Sequence, residues 1–503
     1  MATPMAMRFL SDQQTYLFTD FRHIDPGDLK WLGSDGEPLR LKPGLEPSPS
    51  AAAEPQPTAF ARPVRQPHGI RLEAQQAQKI GPLDPGIGSY TLGINALLHE
   101  GGRYRLWYWH GKHGHYAESD DGFSWHFPTF GRYEIDGSTQ NNAFFGVPPE
   151  RGRRNLDGFT VFVDASAPAS ERYKMVFMAH VPEDEFERRW AEYRALHHRY
   201  QDVRLRPGKF TCVYGGVSPD GLDWTLLPEP LFTHFTDTIT TAYYDEWLQR
   251  YVLYTRMYLQ GRRWVGRTET ADFHHWPPVE PLLWPRIDES PSNDIYTNGR
   301  TAYPGEPSIH LMFPMFYERW NQISRIRLYS SPDGIVWNEA PGEPVISPGT
   351  PSQWDSDFLV AGTGLVPLAD ERVGLLYSGT SYPHKYPRWP HVREAVSTGW
   401  ACWPRGRLCA VVADEQGEFF TFPVQPQGRE LRVNFQATRG GGLWVGVEGR
   451  SGRALTDCDP LFGDSLGQTV RWHGESDIGT EEEAPVVLHF KLRAAKLFGF
   501  EWS

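Results

Sequence analysis

SPDGLDW, at 218–224, returns as SPDGIVW at 331–337 and as SDDGFSW at 119–125, with ETADFHHW at 269–276 a looser copy. Asp-Gly is a hairpin-turn signal, because Gly accepts a positive φ and Asp can bond back to the turn backbone. The Trp that closes each copy is placed to pack between neighbouring sheets. The motif aspartates Asp121, Asp220 and Asp333 therefore read as construction elements at an outer turn, not as catalysts.

The closing tryptophans stand at 125, 224, 276 and 337. Their spacing is about 50–60 residues, apart from a wide first interval. That interval holds PEDEFERRWAEYRALHHRYQ (182–201), where Phe186, Trp190, Tyr193 and His197 recur at helical spacing. An inserted amphipathic helix is expected there. With that insertion and a loop near 147–156 set aside, the period is about 50 residues with several strands in each, the sign of a propeller. Five periods can be read. The fifth lacks the Trp motif but keeps the strand-like runs FLVAGTGLVPLAD, ERVGLLYSGT, VSTGWACW and RLCAVVADE.

Outside the repeats the pattern changes. Residues 1–84 read as an extension, with QQTYLFTDF a candidate ring-closing strand and a Pro/Ala/Ser-rich loop at 42–67. RELRVNFQAT, GLWVGVEG, QTVRWHG and PVVLHFKLRA, after residue 428, alternate at period two and suggest a small antiparallel β-sandwich. It would be a buttress or an accessory sugar-binding module. The expected fold is all-β: a five-bladed β-propeller over 85–427, a C-terminal antiparallel β-sandwich over 428–503, and one helical insertion.

Composition agrees with many short strands joined by turns. The chain has 503 residues, 49 Gly, 43 Pro and 39% hydrophobic residues, which argues against a coiled coil or a disordered chain. A net charge of −12 without a long basic run argues against a nucleic-acid partner. No apolar stretch of about 18 residues exists, so no membrane-spanning helix is expected. The N-terminal MATPMAMRFLSDQQ lacks a charged region followed by an apolar one, so a cytoplasmic location is expected. Cys212, Cys402, Cys409 and Cys458 are too few and too scattered for a disulfide framework or a zinc site, and read as buried thiols. Nineteen Trp and 14% aromatics can fill a core or form platforms for sugar rings.

In a propeller, side chains that open the innermost strands converge at one mouth of a central channel. The chain places aspartates there repeatedly: Asp84 in GPLDPGIGSY, Asp157 in RRNLDGF, Asp237 in HFTDTITTAYY, Asp294 in SNDIYTNGR, and Asp355 with Asp357 in QWDSDFLVAG. A carboxylate cluster among aromatics suits glycoside hydrolysis, where one carboxyl gives its proton to the leaving oxygen and its neighbour is ionised. Asp237 and Asp294 lead the catalytic candidates, followed by Asp157, Asp84 and Asp357. Tyr296, Asn298 and Arg256 are expected to bind sugar. Arg256, Arg300 and Arg325 could hold carboxylates or grip an acidic sugar, and Glu318 is a second acid candidate. His110, His180, His234 and His384 lie near strand ends, and TSYPHKYPRW (380–389) could wall a subsite. No cofactor is expected and no loop has a Ca²⁺-site spacing, although channel carboxylates would suit a structural Ca²⁺.

This layout resembles the five-bladed propeller glycosidases of glycoside hydrolase families 32, 43 and 68. The repeated S-x-D-G-x-x-W with PEPLF and GEPVI beyond it is similar to their blades, and YAESDDGFSW, IYTN and TDCDPLFGD are similar to an uncharacterised bacterial family-32-like group with a C-terminal sandwich. The resemblance implies a nucleophile or base in blade one, matched by Asp84, and a stabilising Asp in blade two, matched by Asp157. It implies an acid Glu in blade three, where this chain offers Asp237. The W-M-N-D-P-N-G, R-D-P and E-C patterns of family 32 are absent. The expected function is therefore hydrolysis of an oligosaccharide or glycan fragment. A non-catalytic carbohydrate-binding propeller and a polysaccharide lyase, with Tyr or His as base and Arg facing a uronate, are the alternatives.

Overall fold

The computed structural model describes residues 14–27, 31–32, 38–39, 67–83, 94–110, 113–146, 157–196, 205–385, 396–479 and 484–503. They are almost wholly β, in two compact units: Ala74–Arg405, and Met1–Glu73 with Gly406–Ser503.

The larger unit is a series of antiparallel sheets in chain order. The first runs Ile94–Glu100, Arg103–His110, His113–Ser119 and Ala143–Gly146, and the second Asp157–Val163, Tyr173–His180, Thr211–Ser218 and Thr225–Leu226. The third runs Thr241–Asp245, Arg250–Leu259, Arg262–Thr270 and Glu280–Leu283. The fourth is split. Asn293–Thr297, Met315–Glu318 and Ile323–Ile326 form one piece; Arg300–Tyr303, Glu306–Met312, Tyr329–Ser331 and Asn338–Glu339 form the other. The fifth runs Phe358–Leu368, Arg372–Thr380 and Ser397–Pro404, and its outer strand is Gln78–Ile80. The first strands of the first three sheets pack on one another in sequence, and Asn293–Thr297 packs on Arg262–Thr270 of the third sheet. Arg300–Tyr303 packs on Phe358–Leu368, and Phe358–Leu368 packs back on Ile94–Glu100, so the contacts return to the first sheet.

The repeated motif explains how neighbouring sheets are joined. In 218–224 the Asp220 carboxylate accepts from the backbone N–H groups of Leu222 and Asp223, both at 2.8 Å, and the Ser218 hydroxyl accepts from Gly221 at 2.9 Å. The same bonds recur at Asp121 and Asp333. The backbone N–H groups of Ser124 and Phe123 hold the Asp121 carboxyl down to about 2. The glycine carbonyl then accepts from an aromatic side chain of the preceding sheet. Trp107 donates to Gly221 (2.8 Å), Tyr254 to Gly334 (2.7 Å), and Trp400 of the fifth sheet to Gly122 of the first (3.0 Å). Gly221 has φ +83°, and a Cβ there would lie 2.8 Å from the Trp107 ring, so both conformation and contact require glycine. Trp125, Trp224, Trp276 and Trp337 pack in the clusters between sheets, as their spacing predicts.

The expected helix is present as Phe186–Leu196, with Phe186, Arg189 and Tyr193 buried. His197 lies outside the described residues, as does the 42–67 loop apart from Pro67.

Two strand assignments differ from expectation. RLCAVVADE does not complete the fifth sheet: Cys409–Phe420 pairs with Leu488–Trp502 in the smaller unit. Its place is taken by Gln78–Ile80, which pairs with Ser397–Pro404. Lys79 secures this pairing through the buried Asp355 carboxylate at 2.7 Å. QQTYLFTDF does not close the series either, because Thr15–Leu17 pairs with the end of Leu488–Trp502. The smaller unit thus has one six-stranded sheet built on the long, bulged antiparallel pair Leu431–Val447 and Leu488–Trp502. Phe18, Phe419, Phe490 and Phe500 pack on one another in it. All four cysteines are buried and free.

Candidate active site

In the second sheet, register places the Ser-x-Asp-Gly turn at one end. Ser218 lies opposite Tyr173, where the second strand begins, and Thr211 lies opposite His180, where it ends. The other end therefore gathers the start of the first strand and the connection between the second and third. In the third sheet Arg250–Leu259 and Arg262–Thr270 meet at that end through a two-residue turn, Gln260-Gly261, both at positive φ (52° and 68°). This turn sets Tyr258 directly opposite Arg263. Strand alternation puts Arg256 on the same face as Tyr258.

Around this hairpin a charged and aromatic cluster forms. Asp237, just before Thr241–Asp245, accepts from the Arg256 guanidinium and from the Tyr258 hydroxyl (2.5 Å). Arg256 is buried, with its side chain 1% exposed, whereas the Asp237 side chain is 43% exposed. The guanidinium carbon of Arg256 lies 4.1 Å from the centre of the Tyr296 ring, and that of Arg263 lies 4.8 Å from it. Tyr296 donates to or accepts from His384 Nε2 at 2.9 Å, and His384 stacks on Phe358 at 4.3 Å. Tyr317 meets Tyr296 edge-on and Phe235 stacks on Tyr258. The inserted helix reaches the same end, with Tyr193 against His234.

The electrostatics fix the charge states. Desolvation works to raise the Asp237 pKa, but the Arg256 charge, the Tyr258 hydrogen bond and Arg263 prevail, so it lies below the usual carboxylate value. Burial pushes the Tyr258 phenol up to about 12. His384 is driven down to about 3, first by burial and then by Lys385, Arg256 and Arg263, so it is a neutral imidazole.

The expected site residues fare differently. Asp237, Arg256, Tyr296 and His384 are brought together. Asp294 stands beside them, but its carboxylate is fully buried, taken by Arg263 (2.6 Å to Nη1, 3.0 Å to the backbone N) and by Arg319 at 3.4 Å. It positions Arg263 and has no open face for a substrate, which corrects its expected catalytic role. Asn298 is a buried clip: its amide oxygen accepts from Thr241 (2.8 Å) and Arg300 N (3.0 Å), so it is not free to bind sugar. Arg300 points elsewhere, onto the Tyr243 ring at 3.2 Å and to His310 at 3.0 Å. Glu318 is tied to Arg325 and to Asn321 (2.6 Å). Asp357 accepts from the Ser356 hydroxyl at 3.0 Å. Asp157 begins the first strand of the second sheet; of it only the backbone is described, and Asp84 lies outside the described residues. The continuous acidic ring expected around an axis is thus reduced to Asp237 among the described, solvent-open carboxylates of this cluster.

Tyr258, Arg263, Phe235 and Phe358 were not singled out by sequence. The signal for the first two was present: a Gln-Gly turn fixes which residues face each other across the hairpin. No group of three or more His, Cys, Asp or Glu side chains is placed to hold a metal ion among the described residues.

No family model and no curated protein matches the chain. Similar solved structures exist. Glycoside hydrolases of families 43, 32 and 62 are among its structural neighbours. A thermostable family-43 glycoside hydrolase is 12% identical, with a TM-score of 0.40 over 62% of this chain and 88% of that one. The family-32 β-fructofuranosidase of Bombyx mori is 9% identical, with a TM-score of 0.36 over 84% and 95%. An N-acetylgalactosamine deacetylase from F. plautii, solved with blood group B trisaccharide, is 14% identical, with a TM-score of 0.42 over 67% and 95%.

Proposed function

We propose that Ala74–Arg405 is a five-bladed propeller, that the smaller unit is its C-terminal sandwich, and that the chain is a glycoside hydrolase acting at the strand ends around Asp237. One observation carries the reading. Asp237 is an ionised carboxylate, open to solvent, held by a buried arginine and a tyrosine beside an aromatic cluster that a sugar ring can lie against.

Hydrolysis adds water across the glycosidic bond. The leaving oxygen takes a proton from an acid, while the anomeric carbon takes oxygen from water or from a carboxylate. Asp237, held ionised by Arg256, suits the second task. The proton donor is expected among the other strand-opening carboxylates; of these, Asp157 lies on a backbone that runs beside Asp237, since its neighbour Gly158 accepts from Thr240 N at 3.2 Å. Mass spectrometry of products from a panel of oligosaccharides and aryl glycosides tests this. Wild type should cleave, and Asp237→Asn should be slower by at least about 10²-fold with its fold intact. Equal rates would remove Asp237 from the chemistry.

The contact between Tyr296 and a neutral His384 favours a second reading, a polysaccharide lyase using that pair to move a proton. The same spectra separate the two, because hydrolysis adds one water to the products and elimination adds none.

A further inference from the structure

The strand-end cluster carries more positive charge than negative, in a chain whose net charge is −12. Arg256, Arg263 and Arg319 share two carboxylates, Asp237 and Asp294. The other nearby acids are already engaged: Glu318 by Arg325, and Glu289 by Arg327 at 2.7 Å. Arg262 adds a fourth guanidinium, bonded to the carbonyl oxygens of Asn293 (2.8 Å) and Ser290 (3.2 Å). The Nε groups of Arg256 and Arg263 are buried without a hydrogen-bond partner. A buried charged donor left unmet is costly, and an anion is the partner a guanidinium takes best. Arg319 is 38% exposed and Arg263 14% exposed, so both can be approached from solvent.

We propose that this site selects a negatively charged sugar, its carboxylate or sulfate ester neutralised by Arg263 and Arg319 while the ring lies on the aromatic cluster. The inference rests on the carbohydrate reading above and names the class of sugar. Burial is the first cause that lowers the proton affinity of His384, and the charges of Lys385, Arg256 and Arg263 lower it further, against Asp237. It applies equally to hydrolysis and to elimination, since either must first bind the sugar.

Titration calorimetry of the full chain tests it with matched pairs: oligogalacturonides and their carboxyl-reduced forms, and a sulfated oligosaccharide and its desulfated form. One anionic member should bind at least about tenfold more tightly than its neutral partner. The gap should narrow as salt is raised, because part of the attraction is screened. Which pair shows the gap tells carboxylate from sulfate. Arg319→Gln should shrink the preference several-fold. Should that variant unfold, Arg263→Gln is measured in its place. Equal binding within both pairs would overturn the proposal and leave the carbohydrate site standing. No binding of any member would overturn both.

Discussion

A carboxylate gripped by a buried guanidinium but open to solvent stays ionised and stays reachable, and Asp237 meets both conditions. Asp294, with the same side chain, is gripped by guanidinium groups but closed to solvent. Sealed against Arg263 and Arg319, it anchors a charge that other groups use. Removing one partner of a buried pair leaves the other uncompensated, at a cost of about 3–5 kcal/mol. Asp294→Asn is therefore expected to lower unfolding free energy by that amount in chemical denaturation. An unchanged midpoint would mean that the pair does not hold the hairpin. Sequence could list both aspartates as strand openers. It could not rank them, because exposure is set by residues far along the chain.

At the scale of elements, the Ser-x-Asp-Gly-x-x-Trp turn is the unit that joins sheets. Its glycine serves two ends, a positive φ and a close approach by the neighbouring sheet's aromatic ring. Gly221 and Gly261 separate these. Both have positive φ, but a Cβ at 221 would meet Trp107 at 2.8 Å, and one at 261 would meet nothing within 4 Å. Gly261→Ala should cost about 1–2 kcal/mol from backbone conformation alone. Gly221→Ala should cost more, by the overpacking that Trp107 must absorb. Urea midpoints of the two variants decide this, and equal losses would remove the staple from the account. The motif was legible because every group that makes it lies within seven residues. The partner on the preceding sheet was not.

At the scale of the whole molecule, the closing strand and the buried histidines are the exposed points of the design. Lys79 pairs with Asp355, whose side chain is 3% exposed, and Tyr377 donates to the same carboxylate at 2.8 Å. Lys79→Met is expected to lower stability by a few kcal/mol, up to the 3–5 kcal/mol of a broken buried pair. Retained stability would place the closure elsewhere. Burial is the main cause that lowers the pKa of His23 to about 3, His115 to about 4 and His384 to about 3. Below about 6.5 the unfolded chain binds protons at these sites and the folded chain does not, so stability falls as pH drops from 7 to 5. Carboxylates held low, such as Asp237 and Asp121, act in a different window: their contribution is lost only at pH below about 3.9. Unfolding midpoints at pH 7 and pH 5 measure the histidine effect, and equal midpoints would contradict it.

The sequence by itself determined the all-β class, the repeating sheets with their Asp-Gly turns, the inserted helix, and Asp237, Arg256, Tyr296 and His384 as residues worth watching. Each of these depends on local chemistry: turn conformation, alternation along a strand, helical spacing. Only the tertiary structure decided that Gln78–Ile80 and not RLCAVVADE completes the fifth sheet, because strand pairing across some 300 residues is set by which edge is left open. It also decided that Asp294 and Asn298 are buried supports while Asp237 faces solvent. Burial belongs to the packed whole, and no run of neighbouring residues encodes it.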